Sequence, residues 1–295
     1  MKALRKFICR HPAWSLVFLM LPCTLILSAL IYLRLLDPLY APLILAWTLF
    51  LFSFPIRRMP AAIMRDAART LDRDLDPDAF LSLVDVLRGR RSKNVLFQLS
   101  VGANYAAGLD AKGESEEALA YLRTLAPKRP LLDPVNGVQF DLSYAACAVH
   151  SEAGREEIPS VLATVRASLP YLPPNLAAAV RETAESVHMA HAIYAGTEST
   201  STLVDFYVRA VNRYRAEGPL ARRRLVRACM NLALVYDRAN RFADAAAMYA
   251  YVAENGGALG VVSEAKSARA ALSLRESAAR MEEAAAAAPL FDEKE

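Results

Sequence analysis

Two apolar runs separated by five residues constrain this chain more than any other feature. Residues 14–33 (WSLVFLMLPCTLILSALIYL) hold twenty residues without a charge, and residues 39–56 (LYAPLILAWTLFLFSFPI) hold eighteen more. At 1.5 Å per residue, a twenty-residue helix covers about 30 Å, the thickness of a bilayer's hydrocarbon core. The link at 34–38 is short enough to force two antiparallel helices. Pro22 and Pro42 fall inside the runs and predict kinks rather than breaks. A cleaved signal peptide is the competing reading. The first run is longer than a typical signal core and a second follows at once, which favours two spans.

Charge orients the hairpin. Lys2, Arg5, Lys6 and Arg10 precede the first run, and Arg57, Arg58, Arg65 and Arg69 follow the second. Basic flanks stay cytoplasmic, so both ends are expected inside and the 34–38 loop outside. Residues 1–59 hold seven basic groups and one acid, which leaves 28 basic and 30 acidic groups for the rest of a +4 chain. The alkaline balance therefore belongs to the flanks of the apolar runs. The remainder lacks the basic surplus that nucleic-acid binding needs.

The expected organisation is a basic N-terminus (1–13), spans at 14–33 and 39–56 around an external loop (34–38), a basic juxtamembrane helix (57–74), a helical domain (75–282) and an Ala-rich acidic tail (283–295). In 57–74, Pro60 suits a first helical turn, and Ile63, Met64, Ala67 and Leu71 form an apolar stripe between arginines. Such a helix either lies on anionic lipid through Arg57, Arg58, Arg65 and Arg69 or opens the soluble domain. Beyond it the apolar spacing is helical almost throughout, and the fold class is all-α.

Residues 228–255 (ACMNLALVYDRANRFADAAAMYAYVAEN) resemble a tetratricopeptide repeat. Leu232, Ala233 and Tyr236 stand at the large, small and aromatic positions of its first helix, Asn240 at the turn, and Ala245 and Tyr249 on its second helix. Residues 99–127 are similar. Tyr105 and Ala106 form the large–small pair, Gly113 the turn, Ser115 the cap of the next helix, and Ala118 faces back. Weaker units cover 138–169 and 175–211, with turns near Gly154 and Gly196. The turn markers stand 41, 42 and 44 residues apart, longer than the family's 34-residue unit. The expectation is an α-solenoid of four to five helix pairs, with 258–281 covering the last open face. In that family the concave face holds extended peptides. The resemblance implies such a role for Asn104, Asn231 and Arg227, although the family's usual lysine positions are Ala103 and Met230 here. Arg222, Arg223, Arg224 and Arg227 form a basic cluster, by default a solvated charged face and otherwise one that suits an acidic partner.

Chemistry-bearing motifs are sparse. Glu185, His188 and His191 give one Glu-x-x-His, but no second copy exists and positions six apart diverge around a helix. Packed or surface histidines are the simpler reading. Gly256, Gly257 and Gly260 follow a helix, not a strand, and read as a helix end. Cys9, Cys23, Cys147 and Cys229 form no ligand spacing and read as small buried side chains. No cofactor, metal or enzymatic activity is expected. The expected function is a membrane-anchored cytoplasmic scaffold that binds a protein or peptide. An accessory subunit of a transport, secretion or envelope-assembly complex is the alternative, and a membrane hydrolase or metal enzyme the third class.

Overall fold

The computed structural model describes residues 7–8, 12–35, 37–90 and 92–287. Lys2, Arg5, Lys6, Cys9, Arg10 and the tail beyond 287 lie outside the described residues. Twelve α-helices and five 3-10 segments account for nearly all of the described chain, with no strand among the described residues.

Helix α1 (Pro12–Tyr32) and α2 (Ala41–Asp72) pack side by side across a turn at 33–35 and a 3-10 segment, Pro38–Tyr40. Arg34 adopts a left-handed conformation (φ 58°) to make that turn. Both helices are long and apolar enough to cross a membrane. Trp14, Phe18, Leu25 and Trp47 are each about 60% exposed, so these side chains find no core in this chain.

The second apolar run and the juxtamembrane segment, expected as separate helices, are one helix of 32 residues. The two prolines exchange the roles expected of them. Pro42 stands in the first turn of α2, where the missing N–H costs nothing, and Pro60 lies mid-helix. The apolar stripe explains why the helix continues: Ile63, Ala67 and Leu71 are buried in the body's core, so tertiary packing holds α2 through the proline. Arg58, Arg65 and Arg69 are exposed.

Helix α3 (Pro77–Arg88) returns along α2, capped by Asp76, whose carboxylate accepts from Ala79 N–H at 2.9 Å. Then come α4 (Val95–Lys112) and α5 (Ser115–Leu125), α6 (Pro134–His150) and α7 (Ile158–Ser168), and α8 (Pro174–Ala195). Within each of the two pairs the helices pack against each other. The first helices stack in turn, α4 on α6 and α6 on α8. Gly113 (φ 95°) makes the α4–α5 turn, where the sequence marks one. Ala106, Ala118, Leu119 and Leu122 are buried behind it. Each such leucine stabilises by about 1.5–3 kcal/mol. Tyr105 stacks edge-on against Tyr121 at 5.1 Å.

The third expected pair departs from this pattern. Gly196 does end α8 in a left-handed turn, but α9 (Thr200–Glu217) packs along α10 (Arg222–Arg238) rather than back on α8. Helix α10 pairs with α11 (Phe242–Asn255) across Asn240 (φ 56°), the turn position of the best repeat match. Leu232, Ala233, Ala245 and Tyr249 are buried at that seam, and Tyr236 lies half-buried under Arg241. Helix α12 (Val261–Ala287) covers α11, burying Val261, Ala265 and Leu272, and it runs on into the expected tail at 283–287.

The array does not stay open. Its last helices return to its first. Ala258 N–H donates to Leu75 C=O at 3.1 Å, Gly260 N–H donates to Ala111 C=O at 2.9 Å, and Arg223 pairs with Asp72 at 2.7 Å. One core cluster joins α2 and α3 to α9–α12, and a second fills the middle from α4 to α8. Gly256 is the C-cap of α11, as its sequence suggests. At Gly260 the missing side chain is what lets the two backbones meet, since a Cβ there would stand 2.5 Å from Lys112 C=O.

Because α2 enters the body at one end, the body has a proximal and a distal end. Helix α3 rises about 18 Å, so Arg88 lies abreast of Pro60 in α2. The connections 89–94, 126–133 and 169–173 share this proximal end. Lys128 Nζ donates to Gln98 Oε1 at 2.8 Å, and Gln98 Nε2 donates to Ser92 C=O, joining two of them. The connections 73–76, 113–114, 151–157 and 196–199 lie at the distal end, where Arg155 stacks 3.9 Å above the Tyr194 ring. The distal connections hold seven carboxylates and two arginines.

Candidate functional site

The distal end carries a cavity of about 660 Å³, formed by the start of α5, the end of α6, the segment Glu152–Glu157, the end of α8, α10 and α12. Three of its lining side chains, Ser115, His150 and Arg227, converge on Asp110, which lies in the last turn of α4 and lines a neighbouring cavity. Asp110 accepts hydrogen bonds from Ser115 Oγ (2.9 Å) and His150 Nδ1 (2.9 Å) on Oδ1, and from the Arg227 guanidinium (3.1 Å) on Oδ2. Burial alone would raise the Asp110 carboxyl. The charges of His150 and Arg227 and the donated hydrogen bonds outweigh it and hold the group well below the usual carboxylate range. One carboxylate thus ties α4, α5, α6 and α10 together.

Ser115 is therefore not the cap expected of it. It is the first residue of α5, preceded by Glu114, and its hydroxyl turns back to Asp110. The acids of that first turn serve the rim instead. Glu116 accepts from Ser151 Oγ at 2.8 Å and from Glu152 N–H at 2.9 Å, fixing the α6–α7 connection. Arg155 is held over Tyr194 and also donates to Val149 C=O at 3.1 Å. Glu117 and Glu264 are exposed on the rim. The cavity thus presents guanidinium, carboxylate, amide and aromatic groups at fixed positions, an arrangement suited to recognition by hydrogen bonds and charge.

The three residues expected to grip a peptide separate. Arg227 and Asn231 share this cavity. Asn104 lines a small proximal groove with Leu96 and Leu132, and its amide donates to Ser100 C=O at 2.8 Å. Asn231 is buried, its amide donating to Tyr207 Oη at 3.2 Å, and it also borders a second cavity of about 290 Å³ between α6, α8 and α10. The basic cluster of α10 is not waiting for an acidic partner. Arg223 pairs with Asp72, Arg224 with Glu217 and Arg227 with Asp110, and Arg222 reaches Asn255 C=O at 3.4 Å. Arg223 and Arg227 reach α2 and α4, where the chain closes on itself, while Arg224 is held by the end of α9 and Arg222 by the end of α11.

His188 lies 3.4 Å from Glu198, while desolvation and the neighbouring His188 push His191 down. Among the described residues, no group of three His, Cys, Asp or Glu side chains is placed to hold a metal ion. Cys147 and Cys229 are buried. Burial pushes both thiols up, Cys229 to about 11, so neither is a thiolate at neutral pH.

Asp110 and His150 are the site residues that sequence reasoning passes over. The one local signal is an aspartate inside the otherwise apolar and small run YAAGLDA, whose cost in a helix interior implies a distant partner. The chain matches no protein-family model, no curated protein and no solved structure.

Proposed function

We propose that this chain is a membrane-anchored scaffold whose helical body binds a protein or peptide partner in the distal cavity. Helices α1 and α2 span an inner membrane, both termini and the body are cytoplasmic, and the body is a tetratricopeptide-like array. The basic flanks of the apolar runs support this orientation. The observation that carries the reading is the 660 Å³ cavity, set at the end of the body opposite the apolar half of α2 and furnished with Arg155, Tyr194, Arg227, Asn231 and Glu264. Tethering raises a partner's local concentration at the membrane without chemistry. Affinity purification of the full chain from native membranes tests this. A protein that co-purifies with the wild type and with Lys93→Ala, but is lost with Tyr194→Ala and Glu264→Arg, supports the reading. Recovery independent of Tyr194 and Glu264 contradicts it.

A second reading, an accessory subunit of a membrane transport, secretion or envelope-assembly complex, is favoured by one observation. Trp14, Phe18, Trp47 and Phe50 are exposed along the hairpin, a surface that other membrane helices can cover as well as lipid. Exchanging residues 12–56 for an unrelated two-helix anchor separates the two: function survives in the scaffold and fails in the subunit.

A further inference from the structure

We propose that the proximal end of the helical body is a lipid-binding surface that rests on anionic headgroups, with Leu131 and Tyr171 dipping into the interface. The inference rests on the reading of α1 and α2 as membrane spans and extends it to a part of the molecule remote from them in sequence.

Position supplies the first argument. Helix α2 is continuous, so the height of the body above the apolar run is set by covalent geometry. The apolar run ends at Ile56, and Arg88 lies abreast of Pro60, only about 6 Å further along the axis. The headgroup layer on each side of a bilayer is about 5–8 Å thick. The proximal connections therefore sit at headgroup depth. Arg58, stacked 4.1 Å above the Phe54 ring, marks the same level on α2 itself.

Charge is the second argument. The described residues of the connections 89–94, 126–133 and 169–173 hold Arg90, Lys93, Lys128 and Arg129 and a single acid, Asp133, which caps α6. Arg166 adds an exposed guanidinium one turn before the third connection. Of these, Arg129 is neutralised by Asp141 at 2.6 Å, while Lys93, Lys128 and Arg166 are exposed and pair with no carboxylate among the described residues. The distal connections carry the opposite sign, so an anionic surface attracts one end of the body and repels the other.

Apolar exposure points the same way. Among the described residues beyond α2, five large apolar side chains are exposed: Leu96, Leu131, Tyr171, Leu220 and Leu274. Three of the five sit at the proximal end, with Leu131 70% and Tyr171 77% exposed at the tips of two connections. A tyrosine beside lysines with apolar stems is the composition that settles at a membrane interface. An acidic protein would match the charge but not the depth, and it is an outcome of the test.

The full chain is reconstituted into nanodiscs of phosphatidylcholine alone and into nanodiscs containing phosphatidylglycerol, and amide hydrogen exchange is read along the chain. Exchange in 89–94, 126–133 and 169–173 is expected to slow in the anionic discs by roughly fivefold or more, the factor one basic side chain supplies near such a surface. Exchange in 113–117 and 151–157 stays unchanged, and high salt removes the difference. The triple variant K93E/K128E/R166E loses the slowing. The variant L131S/Y171S, which leaves every charge in place, reduces it. Equal exchange in both discs from an inserted chain overturns the inference and leaves the anchor standing. A chain that fails to enter the discs overturns both. Protection that appears only when soluble extract is added assigns the surface to a protein and overturns the lipid reading.

Discussion

The two ends of the helical body are built from the same kind of unit, a short connection between packed helices, yet they have opposite chemistry. The distal connections are acidic, tied by Asp110 and Glu116, and frame a cavity. The proximal connections are basic and tipped by the exposed side chains of Leu131 and Tyr171. Fold stability alone gives no reason for this segregation, because helix-terminal charge preferences average out in an up-and-down array. The contrast teaches that helix packing sets the scaffold while the connections assign its faces. The distal end also holds the closure of the array, so it is where substitutions unsettle the fold.

Gly260→Val gives the largest expected effect. Its Cβ would meet Lys112 C=O and the Gly113 backbone at 2.5–2.6 Å, and backbone cannot rotate away. A loss of about 3 kcal/mol or more in denaturant unfolding of the micelle-bound chain is expected. A loss below 1 kcal/mol would show that the ends do not meet there. Next is Asp110→Asn, at about 2–3 kcal/mol, because it leaves the Arg227 charge half-buried without a partner. Adding Arg227→Met is expected to recover most of it.

The same pair gives a pH signature. The Asp110 carboxyl is depressed in the folded chain, so its contribution is complete above its unfolded value of about 3.9 and is lost as pH falls through the lower folded value. The stability gap between wild type and Asp110→Asn is therefore flat from pH 7 to 5 and shrinks only below about pH 4. A gap that shrank between pH 7 and 5 would contradict the assignment to Asp110. The smallest effect belongs to the other end. Leu131→Ser with Tyr171→Ser changes micelle stability by less than about 0.5 kcal/mol, because neither side chain packs in the core. A large loss would dissolve the distinction between the ends.

Much of the fold is legible in the sequence where physics is local. The apolar runs announce the two exposed helices. Gly113, Gly196 and Asn240 mark turns because each must take a left-handed conformation. The small residues Ala106, Ala118, Ala233 and Ala245 announce close helix contacts and are buried. What is not legible depends on residues far apart. Pro60 reads as a helix start, but Ile63 and Leu71 find a core that carries α2 through it. Gly196 announces a hairpin, yet α9 finds α10 a better partner than α8. The peptide grip dissolves because Asn104, midway along α4, lines the groove with Leu96 and Leu132 and not the distal cavity. The closure at Ala258 and Gly260 and the tie from Asp110 to Arg227 span more than a hundred residues and leave no periodic trace.

The most direct test of the two-faced account places a photo-crosslinking amino acid at Glu117, on the distal rim, or at Tyr171, on the proximal tip, and irradiates native membranes. The account predicts a protein adduct from position 117 and a lipid adduct from position 171. A lipid adduct from position 117, or the same protein captured from both positions, would contradict it.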